Sequence, residues 1–240
     1  MAYTGNAETG VKMRKSGIIN PNDISAAAAA VNFREIRMGN IAPNTLYRSS
    51  HPIVYNKQEP TIALLAAHAR IASVINLSDN SYELKTKAIF SPWYNTLYKN
   101  NRIIALGMDF SRTSESFNKK LKQGLRFIIN TEGPWLIHCH AGVDRTGFVS
   151  IVLESFMGAA VDEIASDYLR SFNSIFDSSI YGEVNKTDSL VVMRLLSVIG
   201  GSLAISDQNL QGIAEHYLRN KIGLSPEEVD LLKLKLSAGG

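Results

Sequence analysis

A short apolar segment, Trp135–His138, runs into a loop that carries the only cysteine of the chain. That loop runs into residues 147–156, which are almost wholly apolar. The first run is introduced by Gly133-Pro134 and has the length of a buried strand. The second is apolar on every face, as a helix in the middle of a core must be. On either side of this unit the pattern alternates. Residues 45–48, 71–77 and 102–106 read as strands, and 59–70, 81–90 and 114–130 read as helices, with Phe117, Leu121, Leu125 and Ile128 at helical spacing. Strands alternating with helices predict an α/β fold, a mostly parallel central sheet flanked by helices. From Thr146 onward the chain reads as helical: 161–172, a loop over 177–182, then two or three more helices that include 209–220 and 225–236. Ser225 supplies the cap of the last one, followed by Pro226, Glu227 and Glu228. Residues 1–30 read as an N-terminal arm with a short alanine-rich helix, and residues 31–240 as a single domain with C-terminal helices.

Composition excludes several classes. One cysteine among 240 residues makes no intramolecular disulfide and no multi-cysteine zinc or iron–sulfur site. Lys and Arg number 25 against 22 Asp and Glu, and a net charge of +3 is too small to argue for a nucleic-acid partner. No stretch reaches the roughly 20 apolar residues of a membrane helix. The polar N-terminus lacks the apolar run of a secretory leader. A reducing, cytoplasmic setting is expected, with export left open if a leader has been trimmed.

The loop and its flanks read His138-Cys139-His140-Ala141-Gly142-Val143-Asp144-Arg145-Thr146-Gly147. A loop that ends a strand and opens a helix turns several backbone N–H groups into one concavity, and the helix N-terminus adds partial positive charge. Gly142 lets the backbone curl closely around a ligand. Arg145 can fold back and grip two oxygens of an oxyanion with its planar fork. Such surroundings favour a thiolate at Cys139. A thiolate beneath a tetrahedral-anion cradle suits phosphoryl transfer. Metal binding by His138, Cys139 and His140 is not expected, since neighbours on a strand point to opposite sides. A cysteine protease would need a distant base such as His216, and nothing ties it to the loop. A persulfide sulfur-transfer loop is the nearer rival, but it requires no Arg-Thr-Gly continuation.

The pattern His-Cys-five residues-Arg-Ser/Thr, with Gly142 and Gly147 in place, resembles the cysteine-based protein tyrosine phosphatase superfamily. The stretches Val31-Asn32-Phe33-Arg34, Leu46-Tyr47-Arg48-Ser49-Ser50, Ile75-Asn76-Leu77-Ser78 and 217–228 resemble bacterial tyrosine phosphatases related to lipid phosphatases. The resemblance implies Cys139 as nucleophile and a phosphate cradle of His140, Ala141, Gly142, Val143, Asp144 and Arg145. It implies that Thr146 assists the departing sulfur and that His138 orients the loop or simply packs. No cofactor and no metal are implied. The general acid of compact members is an Asp on an upstream loop. Asp109 lies 30 residues before Cys139, and Asp79 is its competitor. Arg48, Arg34 and Asp79 are candidates for the pocket rim, with structural salt bridges as the other role for the two arginines. Two departures matter: Asn76 stands where that subgroup has Asp, and Val143 stands where many members have Lys. With Asp144 also in the loop, few cations are left for a highly phosphorylated ring, although a protonated His140 would add one. The implied activity is hydrolysis of phosphomonoesters through a cysteinyl-phosphate, on phosphotyrosine or with dual specificity. A phosphoinositide or inositol phosphate substrate and an inactive phosphate-binding module are the alternatives.

Overall fold

Alternation along the strands sorts their side chains into two layers. Leu46, Ile75 and Ile137 join one buried cluster, while Tyr47, Val74 and Leu136, each one residue away, join the other. The computed structural model describes residues 21–54, 59–175 and 189–238. Its strands are β1 (Arg34–Glu35), β2 (Leu46–Ser49), β3 (Ser73–Asn76), β4 (Ile103–Ala105) and β5 (Trp135–His138). They form one sheet in the order β1-β2-β5-β3-β4, antiparallel between β1 and β2 and parallel elsewhere. One face is covered by α1 (Pro21–Ala30), α2 (Glu59–His68), α3 (Ser81–Ala88) and α4 (Pro92–Lys99). The other is covered by α5 (Glu115–Asn130), α6 (Asp144–Phe156), α7 (Val161–Ile175), α8 (Ser189–Gly200), α9 (Leu210–Asn220) and α10 (Pro226–Ser237). The expected α/β class is therefore present. No helix among the described residues is long and apolar enough to cross a membrane.

Several boundaries differ from expectation for local reasons. The strand expected over 71–77 is confined to Ser73–Asn76, because β3 pairs only where β4 and β5 flank it. Strand β1 is two residues long, too short to leave a pattern. Helix α4 was not expected, since it buries only Tyr94, although Ser91 caps it and Pro92 occupies its first turn. Helix α6 starts at Asp144, three residues before the apolar run. The loop expected over 177–182 lies outside the described residues, as do residues 1–20.

Helix α6 fills the middle of its layer, packing on α7, α8 and α9. Phe148, Ile151, Val152, Leu153 and Phe156 are all fully buried along it. Each such side chain contributes about 1.5–3 kcal/mol. The sum holds the N-terminus of α6 firmly beneath the loop that precedes it.

Candidate active site

Parallel pairing brings three strand ends into line, for Ser49 and Asn76 both sit opposite His138 in the register. The loops that leave these carboxyl ends, at residues 50–54, 77–80 and 139–143, therefore meet at one edge of the sheet. That edge is where open α/β sheets hold their ligands. Cys139 opens the middle loop and is buried.

The N-terminus of α6 is built to receive something. Helices α3, α4, α5 and α10 each have a side chain capping their first turn; Val143 offers none to α6, and Asn209 none to α9, where the Ser206 carbonyl takes the Asn209 and Leu210 N–H groups instead. The N–H groups of residues 140–143 donate to no backbone carbonyl among the described residues. Backbone donors left open at a helix N-terminus make a ready site for an anion. The carbonyls of the loop, by contrast, are pinned away from that space. Arg48 Nη2 donates to Gly142 O at 2.8 Å, and Asn32 Nδ2 donates to the same oxygen at 3.1 Å. The His51 N–H takes His140 O at 2.8 Å. Gly142 has φ +73°, and a Cβ there would come within 2.3 Å of Ser49 O, so only glycine fits.

Arg145 is nearly buried and ties this loop to the next one. Its Nη1 donates to Met108 O at 2.9 Å, and its guanidinium carbon lies 4.7 Å from the centre of the Phe110 ring. Its Nε is buried without a partner among the described residues, which leaves the Nε/Nη2 edge for two oxygens of an anion. Asp109 sits between Met108 and Phe110, exposed, with Oδ1 accepting the Ser111 N–H at 2.8 Å. The loop is braced from both sides. Gly107 and Met108 donate to Asp79 O and Leu77 O, and Lys120 Nζ donates to Gly107 O at 2.5 Å. Thr146 is fully buried, and its hydroxyl has no hydrogen-bond partner among the described residues.

The structure moves three expected rim residues elsewhere. Arg48 is fully buried, and its Nη1 meets Asp167 Oδ2 at 2.5 Å. Arg34 donates to Asp167 Oδ1 at 2.7 Å, to Ser171 Oγ at 2.8 Å and to Asn32 Oδ1. The two arginines thus lie beneath the cradle as a brace, held there by the α7 carboxylate. Burial alone would raise the Asp167 carboxyl, but the charges of Arg48 and Arg34 outweigh it and hold it below the usual carboxylate range. Asp79 is also removed from the rim. It is buried and accepts from His51 Nε2 at 2.8 Å, Lys87 Nζ at 2.5 Å and Asn76 Nδ2 at 3.0 Å. These bonds overcome its burial and hold it below the usual range, so it stays ionised and carries no proton to give. His140 stacks on His51 with ring centres 5.8 Å apart. Burial, then His51 and Arg145, lower its ordinary value, so it adds no charge at neutral pH.

Glu154 on α6 faces the same brace from within the core. Burial and the Asp167 charge push its carboxyl well above the usual range. A carboxyl whose folded value is raised loses stability as pH climbs from its unfolded value, about 4.3, toward the folded one. Glu154→Gln removes that loss. Its thermal midpoint is expected to match wild type near pH 4 and to exceed it increasingly as pH rises toward the folded value. The gap should widen by about 1.4 kcal/mol per pH unit until the folded value is reached. A gap that stays constant with pH would disprove the neutral buried carboxyl.

Sequence reading singled out the loop residues and Asp109. It did not assign roles to His51, Tyr94 or Phe110, and it read Asn32 and Asn76 only as parts of motifs. A lone His after Ser49-Ser50 or a Tyr on a short helix carries no local pattern. Their relation to Cys139 arises only where strand ends meet.

The sequence model described as Tyrosine phosphatase family matches residues 26–238. A Cupriavidus necator protein named "Putative tyrosine-protein phosphatase" is 32% identical over 107 residues, covering 42% of this chain and 37% of that protein. The Mycobacterium tuberculosis triple specificity protein phosphatase PtpB is 50% identical over 42 residues, covering 18% of this chain and 15% of that protein. The matched stretches are thus well under half the length of these relatives. Among solved structures, the catalytic core of the PP-IP phosphatase Siw14 from S. cerevisiae superposes with a TM-score of 0.42 at 19% identity, over 68% of this chain and 91% of that one. TpbA of P. aeruginosa superposes with a TM-score of 0.34 at 16% identity, over 92% of this chain and 94% of that one.

Proposed function

The chain belongs to the tyrosine phosphatase family, and from that premise we propose that it hydrolyses phosphomonoesters through a cysteinyl-phosphate, with aryl phosphates such as phosphotyrosine as the preferred class. The observation that carries the reading is the uncapped N-terminus of α6, with Cys139 at its mouth and the Arg145 edge beside it. Cys139 Sγ attacks phosphorus in line, and the bond to the leaving oxygen breaks. The three equatorial oxygens rest on the N–H groups of residues 140–145 and on Arg145 Nε and Nη2. Asp109 gives its proton to the leaving oxygen. It then takes a proton from the water that attacks the cysteinyl-phosphate, releasing phosphate and restoring the thiolate. The Thr146 hydroxyl donates to the sulfur as it departs. His138 orients the cradle from behind.

Phe110 supports the aryl preference. It is 59% exposed beside Asp109 and stacked on Arg145, an apolar wall at the mouth of the site. Val143, a neutral His140 and Asp144 add no positive charge for a highly phosphorylated inositol ring. The test is a panel without added divalent metal: phosphotyrosyl and phosphoseryl peptides, phosphoinositides, inositol phosphates and para-nitrophenyl phosphate. Hydrolysis of the aryl esters, inhibited by vanadate, is expected. Preference for inositol phosphates, or dependence on a divalent ion, would overturn the reading. Asp109→Asn is expected to slow phenyl phosphate hydrolysis about 100- to 10,000-fold. The loss should be smaller for para-nitrophenyl phosphate, whose leaving group needs less help from an acid.

A further inference from the structure

We infer that Asn76 is a positioning residue for the nucleophile, acting through Tyr94 and His138, and that Asp79 and His51 hold it to that task. The inference rests on Cys139 being the nucleophile. Its basis is a buried hydrogen-bond relay whose Asn76 end is oriented by backbone donors and whose His138 end meets a backbone carbonyl. Asn76 Oδ1 accepts the N–H groups of Ser78 and Asp79 at 3.0 and 2.9 Å, so that end of the amide is the oxygen. The Nδ2 end then spends one hydrogen on Asp79 Oδ2 and the other on Tyr94 Oη, both at 3.0 Å. Having accepted there, the Tyr94 hydroxyl donates to His138 Nε2 at 2.8 Å. Burial holds His138 well below its ordinary value, so its ring carries one proton. That proton sits on Nδ1, which faces Cys139 O at 3.3 Å.

The far end is anchored in the same way. Ile53 and Val54 donate their N–H groups to His51 Nδ1 at 3.0 and 3.2 Å, so the His51 proton lies on Nε2 and points to Asp79 Oδ2. Lys87 occupies the other oxygen of Asp79. Asp79, an acceptor only, can take the Asn76 amide in one orientation and no other. Asn76, Asp79, His51, Tyr94 and His138 are each at most 1% exposed, so no bulk water can replace a lost member. The outcome is a donor held against the Cys139 carbonyl. It keeps that peptide turned so that the N–H groups after it face the anion site.

Asn76→Asp inverts the relay. A carboxylate at 76 accepts the Tyr94 hydroxyl, His138 Nε2 must then be the protonated nitrogen, and its Nδ1 lone pair opposes Cys139 O. The first test needs no substitution. Nitrogen-15 spectra of the five ring systems in the substrate-free protein should show His138 protonated on Nδ1, the less common tautomer. In Asn76→Asp the proton should move to Nε2. Both Asn76→Asp and Tyr94→Phe should lower kcat by roughly 10- to 100-fold with little change in KM, and the double variant should lose no more than the worse single one. A wild-type His138 protonated on Nε2, or losses that multiply in the double variant, would overturn the relay. Should Asn76→Asp fail to fold, the wild-type spectrum and Tyr94→Phe still decide. The spectrum involves no turnover, so it separates failure of the relay from failure of Cys139 as nucleophile, which Cys139→Ser measures.

Discussion

Cys139→Ser is expected to lower turnover of para-nitrophenyl phosphate by roughly 10⁵- to 10⁶-fold, the scale on which loss of a nucleophile acts. Serine keeps the shape of cysteine with a somewhat smaller terminal atom, so little packing is lost at this buried position. What is lost is chemical, because a hydroxyl holds its proton far more tightly than a thiol in the same field. Everything that binds the anion remains: the uncapped turn of α6, the Arg145 edge, and the pins on Gly142 O and His140 O. Vanadate or inorganic phosphate should therefore still bind the variant, by calorimetry or by protection against thermal unfolding. Retained binding with lost turnover separates the nucleophile from the cradle. Turnover above about a hundredth of wild type would rule out Cys139 as nucleophile. Full binding with no turnover in the wild type itself would make the chain a phosphate-binding module.

The second large effect is on stability. Arg48→Met is expected to cost about 3–5 kcal/mol, because the methionine fills much of the same volume but leaves a buried carboxylate with one arginine instead of two. For a chain of this length that is a fall in thermal midpoint of about 10 °C. The cost has a pH signature. Arg48 helps hold Asp167 below its unfolded value of about 3.9, so the stabilisation is present above that pH and is lost as pH falls through the folded value. The gap between wild type and variant should therefore narrow below about pH 4. A gap unchanged in acid would mean that Arg48 acts by packing alone. Activity should fall as well, since Arg48 Nη2 is one of two donors that keep Gly142 O out of the cradle.

These two residues show how unevenly a site is written into a chain. Cys139 and Arg145 were legible because their neighbours are local. One turn of backbone places them, so six residues of spacing carry the geometry. The α/β class was legible because strand and helix periods differ, and the boundaries that shifted, such as β3, did so where pairing partners ended. Asp109 lies on the loop where its spacing put it, but its Arg145–Met108 link belongs to two loops at once. Arg48 and Arg34 read equally well as a rim or as a brace, since an arginine in a strand says nothing about what lies behind it. Only α7, more than a hundred residues onward, brings Asp167 to them and decides for the brace.

By itself, then, the sequence determined the loop, its single thiol, the spacing of its arginine and the layered fold around it. All of these follow from residues within one or two turns of each other. The tertiary structure decided which carboxylate is held ionised by its partners, which arginines face inward and which side chains gather around His138. Those are properties of burial and of donors arriving from β2, β3, α4 and α7. Desolvation, which makes each unmatched partner costly, acts only once distant segments have closed over the site.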